Sequence, residues 1–195
     1  MYYKLTDRDM QTHNGFQWEP GVWYSIDKEE RGYGLCSESW FHCYDDKLLA
    51  VLFNPVHANI KNPRLFRCRV RGKRLVTVGD KYGFTQMVIP HDAELGLPVV
   101  TITQRVAFGI LCAKEVCDGP EWNEWADAWL DGSDRSREAA WAAARAARAA
   151  AWAAARAVCW RVAGNIAYNA ACAATDALLI KPIDLKLIAQ EAMEY

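Results

Sequence analysis

The chain has almost no net charge. Its 23 lysines and arginines are set against 24 aspartates and glutamates, a formal balance of −1. Such a balance provides no global field for nucleic acid or an anionic membrane, so an electrostatic partner must be met by a local patch. Long apolar runs are missing too. Arginines interrupt the alanine-rich tract before it reaches the ~18 uncharged residues of a membrane-crossing helix, so no membrane partner is expected. The opening residues MYYKLTDRDMQTHNGF lack a basic stretch followed by an apolar one, so no secretory signal peptide is expected. The seven cysteines include no CxxC pair, their count is odd and their spacing is irregular. That pattern argues against a disulfide framework or a structural zinc site and predicts buried thiols in a reducing cytoplasm. No glycine-rich phosphate loop follows a strand, and no cofactor is expected.

What is present is a core. Hydrophobic residues make up 52% of the chain and aromatics 12%, far from the composition of a disordered segment. The pattern changes near residue 100, which predicts an α+β protein of two domains. Residues 1–100 read as a small, mainly antiparallel β domain with a short helix, and residues 101–195 as an Ala/Trp-rich antiparallel helical bundle. In GFQWEPGVWYSI, Glu19-Pro20-Gly21 joins two aromatic runs and predicts a hairpin. LCSESWFHCY reads as a strand. Asp45 or Asp46 caps a helix through KLLAVLF that ends near Asn54-Pro55, since the residue before proline disfavours the helical basin. RLVTV and FTQMVIP, joined by a turn at GDKYG, read as a further strand pair. HDAELGLPVV reads as a loop.

From Thr101 the period is helical, with Thr101 as cap and Val106, Ile110, Ala113 and Cys117 on one face. Asp118-Gly119-Pro120 breaks that helix. Trp122, Trp125 and Trp129 then form a stripe opposite Glu121, Glu124 and Asp127, up to Gly132. The alanine tract repeats: AAWAAARAARA from Ala139 is followed by AAWAAARAVCW from Ala150, an eleven-residue period of three helical turns. Trp141, Arg145, Arg148, Trp152 and Arg156 fall on one stripe. Its first reading is a packing seam with snorkelling arginines; its second is a partner-binding ladder, because Trp and Arg are enriched at binding hot spots. The small alanine faces also suit self-association. An unbroken helix from Ser136 to Ile180 would span about 65 Å, so a reversal near Gly164-Asn165 is expected. Asp184 caps a final helix, LKLIAQEAM.

Two further constellations bear on chemistry. Cys36, His42, Cys43, His57 and Cys68 lie close in sequence, but His42 and Cys43 point to opposite sides of a strand, so buried thiols are expected rather than a metal site. A nucleophile pairing Cys36 or Cys43 with His57 or His91 lacks any signal for an oxyanion hole. PRLFRCRVRGK alternates cleanly, with Phe66, Cys68 and Val70 on one face and Arg67, Arg69 and Arg71 on the other. With Arg64, Lys73 and Arg74 this is the strongest charge concentration in the chain. It fits an acidic protein surface or phosphate, or it is an edge strand protected by charge. Nucleic acid is the weaker expectation, because no stacking aromatics are interleaved on that face in the sequence.

The segments GFQWEPGVWY, LCSESWFHCYDDKLLAVLFNPVHANIKNPRLF, QRVAFGILCAKEV, WADAWLDGSDRSREAAWAAARAARAAAW and KPIDLKLIAQEAM resemble a family of uncharacterised phage and prophage proteins, in which a small N-terminal domain precedes an alanine-rich helical tail. The resemblance implies a phage or prophage origin and the cytoplasm of a bacterial host. It also implies an accessory role against host processes. The expectation is a non-enzymatic protein that binds a host bacterial protein, a defence component in particular, through Arg67, Arg69 and Arg71 and through Arg145, Arg148, Trp152 and Arg156. The stretches LC…WFHCYDDKLLAVLF and LFRCRVRGKRLV also resemble ADP-ribosyltransferase-like folds. That likeness implies an alternative, an enzyme or nucleotide sponge acting on NAD or a related nucleotide; it calls for an early His or Arg, where YYKLT offers only Tyr2, Tyr3 and Lys4, and for a late acid, for which Glu94 is the candidate.

Overall fold

Alternation in FRCRV, apolar on one face and arginine on the other, sets up the sheet of the N-terminal unit. In the computed structural model, β1 (Tyr2–Thr6) lies antiparallel to the first half of β6 (Arg64–Val76), with Tyr2 opposite Cys68 and Thr6 opposite Arg64. The structure describes residues 1–27, 38–76, 81–116, 119–136, 177 and 180–195. The Trp/Arg stripe from Trp141 to Arg156, the expected reversal at Gly164-Asn165, and Cys36, Cys117, Cys159 and Cys172 lie outside these residues. Two compact units, Met1–Val99 and Val100–Tyr195, make up the chain. The architecture is mixed α+β: a mainly antiparallel sheet in the N-terminal unit and a helical C-terminal segment.

The second half of β6 pairs with β7 (Tyr82–Val88), and β7 pairs on its other edge with β4 (Tyr24–Ser25) and β5 (Phe41–Cys43). β8 (Glu94–Leu95) continues the edge of β7 along β6. Backbone bonds between Tyr3 and Tyr44, at 2.7 and 2.9 Å, then join the end of β5 to β1. The circuit β1–β6–β7–β5–β1 therefore closes around one apolar interior. Trp18, Phe41, Cys43, Phe66, Cys68, Phe84 and Met87 fill it. Trp18 is only 1% exposed and donates its indole N–H to Thr12 Oγ1 at 3.0 Å, so the polar end of this large ring is satisfied.

Several expectations change. The hairpin across Glu19-Pro20-Gly21 does not form. β3 (Phe16–Gln17) pairs back with β2 (Gln11–Thr12), while β4 pairs with β7. The turn itself exists, but the Gly21 N–H donates to Ile89 O at 2.7 Å, which draws the turn onto the end of β7. RLV is not a separate strand; β6 runs on to Val76. HDAELGLPVV contains β8 rather than being all loop.

The helix α1 (Lys47–His57) begins at Asp46, whose carboxylate accepts from Leu48 and Leu49 N–H. It passes Pro55 instead of stopping there. Pro55 stands in the last turn, where it costs a single backbone bond. That turn is held in two ways. The Asn54 carbonyl accepts from Ala58 and Asn59, and the Asn54 side chain bonds both backbone groups of Ile60. The His57 ring stacks on Phe53, and His57 Nδ1 lies 2.9 Å from Tyr44 Oη.

In the second unit, Thr101 and Gln104 form a capping box at the start of α2 (Ile102–Lys114). Every residue from Val106 to Ala113 is buried, so this part of α2 is covered all round, while Ile102 in its first turn is exposed. α3 (Pro120–Asp131) starts with proline in its first turn and ends at Gly132, which is left-handed at φ +84°. Trp122, Trp125 and Trp129 are buried, and the indole N–H groups of Trp122 and Trp125 have no acceptor among the described residues. Asp184 caps α4 (Leu185–Ala192), and Gln104 Nε2 donates to Met193 O at 2.9 Å, tying α2 to the end of α4.

Candidate functional site

Strand alternation places the basic residues. Phe66 and Cys68 face the interior, Val70 is half-buried against it, and Arg67, Arg69 and Arg71 are exposed on the opposite face. Successive arginines on one face of a strand stand about 6.6 Å apart along its axis. Each has a defined setting. Arg67 Nη2 reaches Asp92 O at 3.4 Å. Arg69 stands opposite Val88. Arg71 Nε donates to Gln86 Oε1 at 2.5 Å, and Gln86 Nε2 in turn donates to Ser25 Oγ at 3.3 Å.

Trp23 completes this face. Its ring lies under the Arg71 guanidinium, 4.0 Å from the charge to the ring centroid, and it remains 39% exposed. The sequence reading left aromatics off this face. The missed signal was the alternation of Trp23, Tyr24 and Ser25: Tyr24 packs on the interior and stands opposite Met87, so its neighbours point outward.

Beyond Arg71 the strand carries a β-bulge, where Gly72 and Lys73 stand opposite the single residue Thr85. Gly72 is left-handed at φ +82°, and Thr85 Oγ1 occupies the space a Cβ would need. The same Oγ1 accepts the Lys73 N–H at 3.0 Å. Arg71, Gly72, Lys73 and Arg74 are four consecutive exposed residues. Among the described residues no carboxylate bonds Arg67, Arg69, Arg71, Lys73 or Arg74. Arg64 differs: its guanidinium forks onto Glu94 at 2.8 and 2.6 Å. That bond holds the Glu94 carboxyl below the usual carboxylate range and raises the Arg64 pKa.

The other candidates are placed as follows. Cys43 and Cys68 are brought together in the sealed interior, where burial, followed by the contact with Cys68, pushes the Cys43 thiol well up. His42 is half-buried while Cys43 is fully buried, as opposite sides of β5 require. Lys4 is buried among these groups, donates Nζ to His42 O at 2.8 Å and lies 5.3 Å from the Trp18 ring centroid. Burial lowers its pKa. Tyr2 packs its ring on Tyr82 and Phe84, and Tyr3 bonds the Tyr44 backbone. Glu94 points instead to Arg64. His91 covers Gly21.

Among the described residues no group of three or more His, Cys, Asp or Glu is arranged to hold a metal ion, and no helix is long and apolar enough to cross a membrane. A cavity of about 520 Å³ in the second unit is lined by Leu111, Leu130, Ile188 and several charged side chains. Two of its acids are already paired, Asp127 with Lys114 and Glu115 with Lys181. Arg145, Arg148, Trp152 and Arg156 lie outside the described residues.

These features define a mixed α+β protein whose N-terminal sheet presents a basic face. Scans against protein-family models, curated proteins and solved structures give no match to the chain.

Proposed function

We propose that this chain is a non-catalytic accessory protein of phage origin that acts in the bacterial cytoplasm. In this reading it binds an acidic surface of a host bacterial protein, a defence component in particular, and blocks its action. The observation that carries the reading is the outer face of β6 and β7. Three arginines project from one strand, no carboxylate among the described residues bonds them, and Trp23 is stacked against Arg71. Arginine and tryptophan are the residue types that dominate protein-binding hot spots, and guanidinium groups pair carboxylates in a forked geometry. Pairing of β6 with β7 holds the backbone beneath Arg69 and Arg71, so binding there orders side chains and not the strand itself. The phage setting rests on the sequence resemblance. Arg145, Arg148, Trp152 and Arg156 are proposed as a second contact, and the alanine faces as a surface for self-association.

The test is a tagged capture from bacterial lysate, read by mass spectrometry, with the Arg67→Glu/Arg69→Glu/Arg71→Glu variant alongside. A host protein enriched by the wild type and lost in the variant is the expected result. Identical profiles for the two would overturn the reading.

A further inference from the structure

The edge of β6 beyond Cys68 bears on how such a partner would be held. β1 pairs with β6 only as far as Tyr2 and Cys68. β7 and β8 occupy the opposite edge, since Leu65 pairs with Leu5 of β1 on one side and Leu95 of β8 on the other. Beyond Cys68, no strand among the described residues pairs with the β1-side edge of β6. The direction of its backbone groups follows from two bonds. The Arg67 N–H donates to Ala93 O, toward the β8 side, so the even-numbered residues Phe66, Cys68 and Val70 direct their backbone groups to the other edge. Independently, Thr85 O accepts from Ile26 N–H on the β4 side, which leaves Gln86 and Val88 to bond Arg71 and Arg69. The Val70 N–H and C=O therefore point to the open edge.

We propose that this edge, from Val70 to Arg74, takes up an extended acidic segment of the partner protein as an added strand. The inference rests on the basic-face reading above. Charge selects the occupant. Arg69, Arg71, Lys73 and Arg74 line the segment, so carboxylates at alternate positions of an added strand would stand beside Arg69 and Arg71, at cross-strand distances of about 5 Å. A second copy of this chain would bring the same four cations against themselves, which opposes edge-to-edge self-pairing.

The experiment uses the full chain and a synthetic peptide of alternating glutamate and valine. The peptide should bind, and amide exchange at Val70 should slow by at least about tenfold. Val70→Pro removes the edge N–H at a position where an edge strand tolerates proline, and should weaken peptide binding by about tenfold or more. Exchange elsewhere in the sheet shows whether that variant is folded, and Val70 protection in the wild type stands without it. Peptide that binds Val70→Pro as well as wild type, with Val70 unprotected, would overturn strand addition. So would binding of a single-stranded oligonucleotide but not of the peptide. If strand addition fails in either way while the host protein is still captured by the wild type and lost in the arginine-to-glutamate variant, the basic-face reading stands without it.

Discussion

Gly72→Ala tests the device that shapes the basic strand. At φ +82°, Gly72 holds a conformation that costs a non-glycine residue about 1 kcal/mol. A Cβ there would lie 2.2 Å from Thr85 Oγ1, so the hydroxyl must leave. That hydroxyl accepts the Lys73 N–H at 3.0 Å, a bond worth about 1 kcal/mol net and more if the donor is left without water. Together these give a loss of about 2–3 kcal/mol for Gly72→Ala. The cycle with Thr85→Ala separates the two parts. The next atoms, Gln86 Cγ at 3.5 Å and Thr85 Cβ at 3.6 Å, are ordinary contacts, so removing the hydroxyl relieves the clash and leaves the conformational cost. The two substitutions should couple by about 1 kcal/mol in the relieving direction. Urea titration read by amide exchange of β6 and β7 measures it within the N-terminal unit. A loss below about 0.5 kcal/mol for Gly72→Ala, or strictly additive effects, would refute the bulge argument.

Further outcomes follow from the same physics. Trp18→Ala should destabilise the N-terminal unit by about 3–5 kcal/mol, since a fully buried ring and its bond to Thr12 are lost together; a shift under about 1 kcal/mol in the same exchange titration would contradict the packing. Burial lowers the Lys4 pKa below its ordinary 10.5, so between the folded value and 10.5 the unfolded chain binds the extra proton and the Lys4 contribution to stability should rise with pH. Cys43 and Cys112, whose pKa values burial raises, give the opposite slope above their ordinary 9.0, so the rise is read as the difference between wild type and Lys4→Met, and no pH dependence in that difference would count against a buried Lys4. Cys43 and Cys112, whose pKa values burial raises, should resist iodoacetamide in the folded protein and react on unfolding; fast labelling before unfolding would show an open interior. Thr101→Ala should cost about 0.5–2 kcal/mol in the second unit by breaking its capping box, read as a lowered melting temperature.

The legible parts of the fold were those in which periodicity and burial agree. β6 alternates because one face meets the interior, and the Trp122 stripe is buried because three- and four-residue steps keep it on one side of a helix. Caps at Thr101 and Asp184, and the first one to within Asp45 or Asp46, were readable because each places a short polar side chain just before an apolar run. What was illegible depends on long-range pairing. Nothing local in EPG tells that the Gly21 N–H will go to Ile89 rather than close a hairpin. Pro55 looked like a helix stop because the stabilising groups, the Asn54 side chain and the His57 stack, act through tertiary contacts. Arg67, Arg69 and Arg71 were found as a face from alternation alone, whereas Trp23 joins them only because β4 pairs with β7. The edge beyond Cys68, unpaired among the described residues, could not be read at all, since it is set by where β1 stops.

The most direct measurement is a titration of the captured host protein against wild-type chain and the Arg69→Glu/Arg71→Glu variant at two salt concentrations. The account predicts that the variant binds at least about a hundredfold more weakly and that added salt weakens the wild type markedly, because forked arginine–carboxylate pairs carry the contact. Equal affinity of the two proteins, with no dependence on salt, would contradict it.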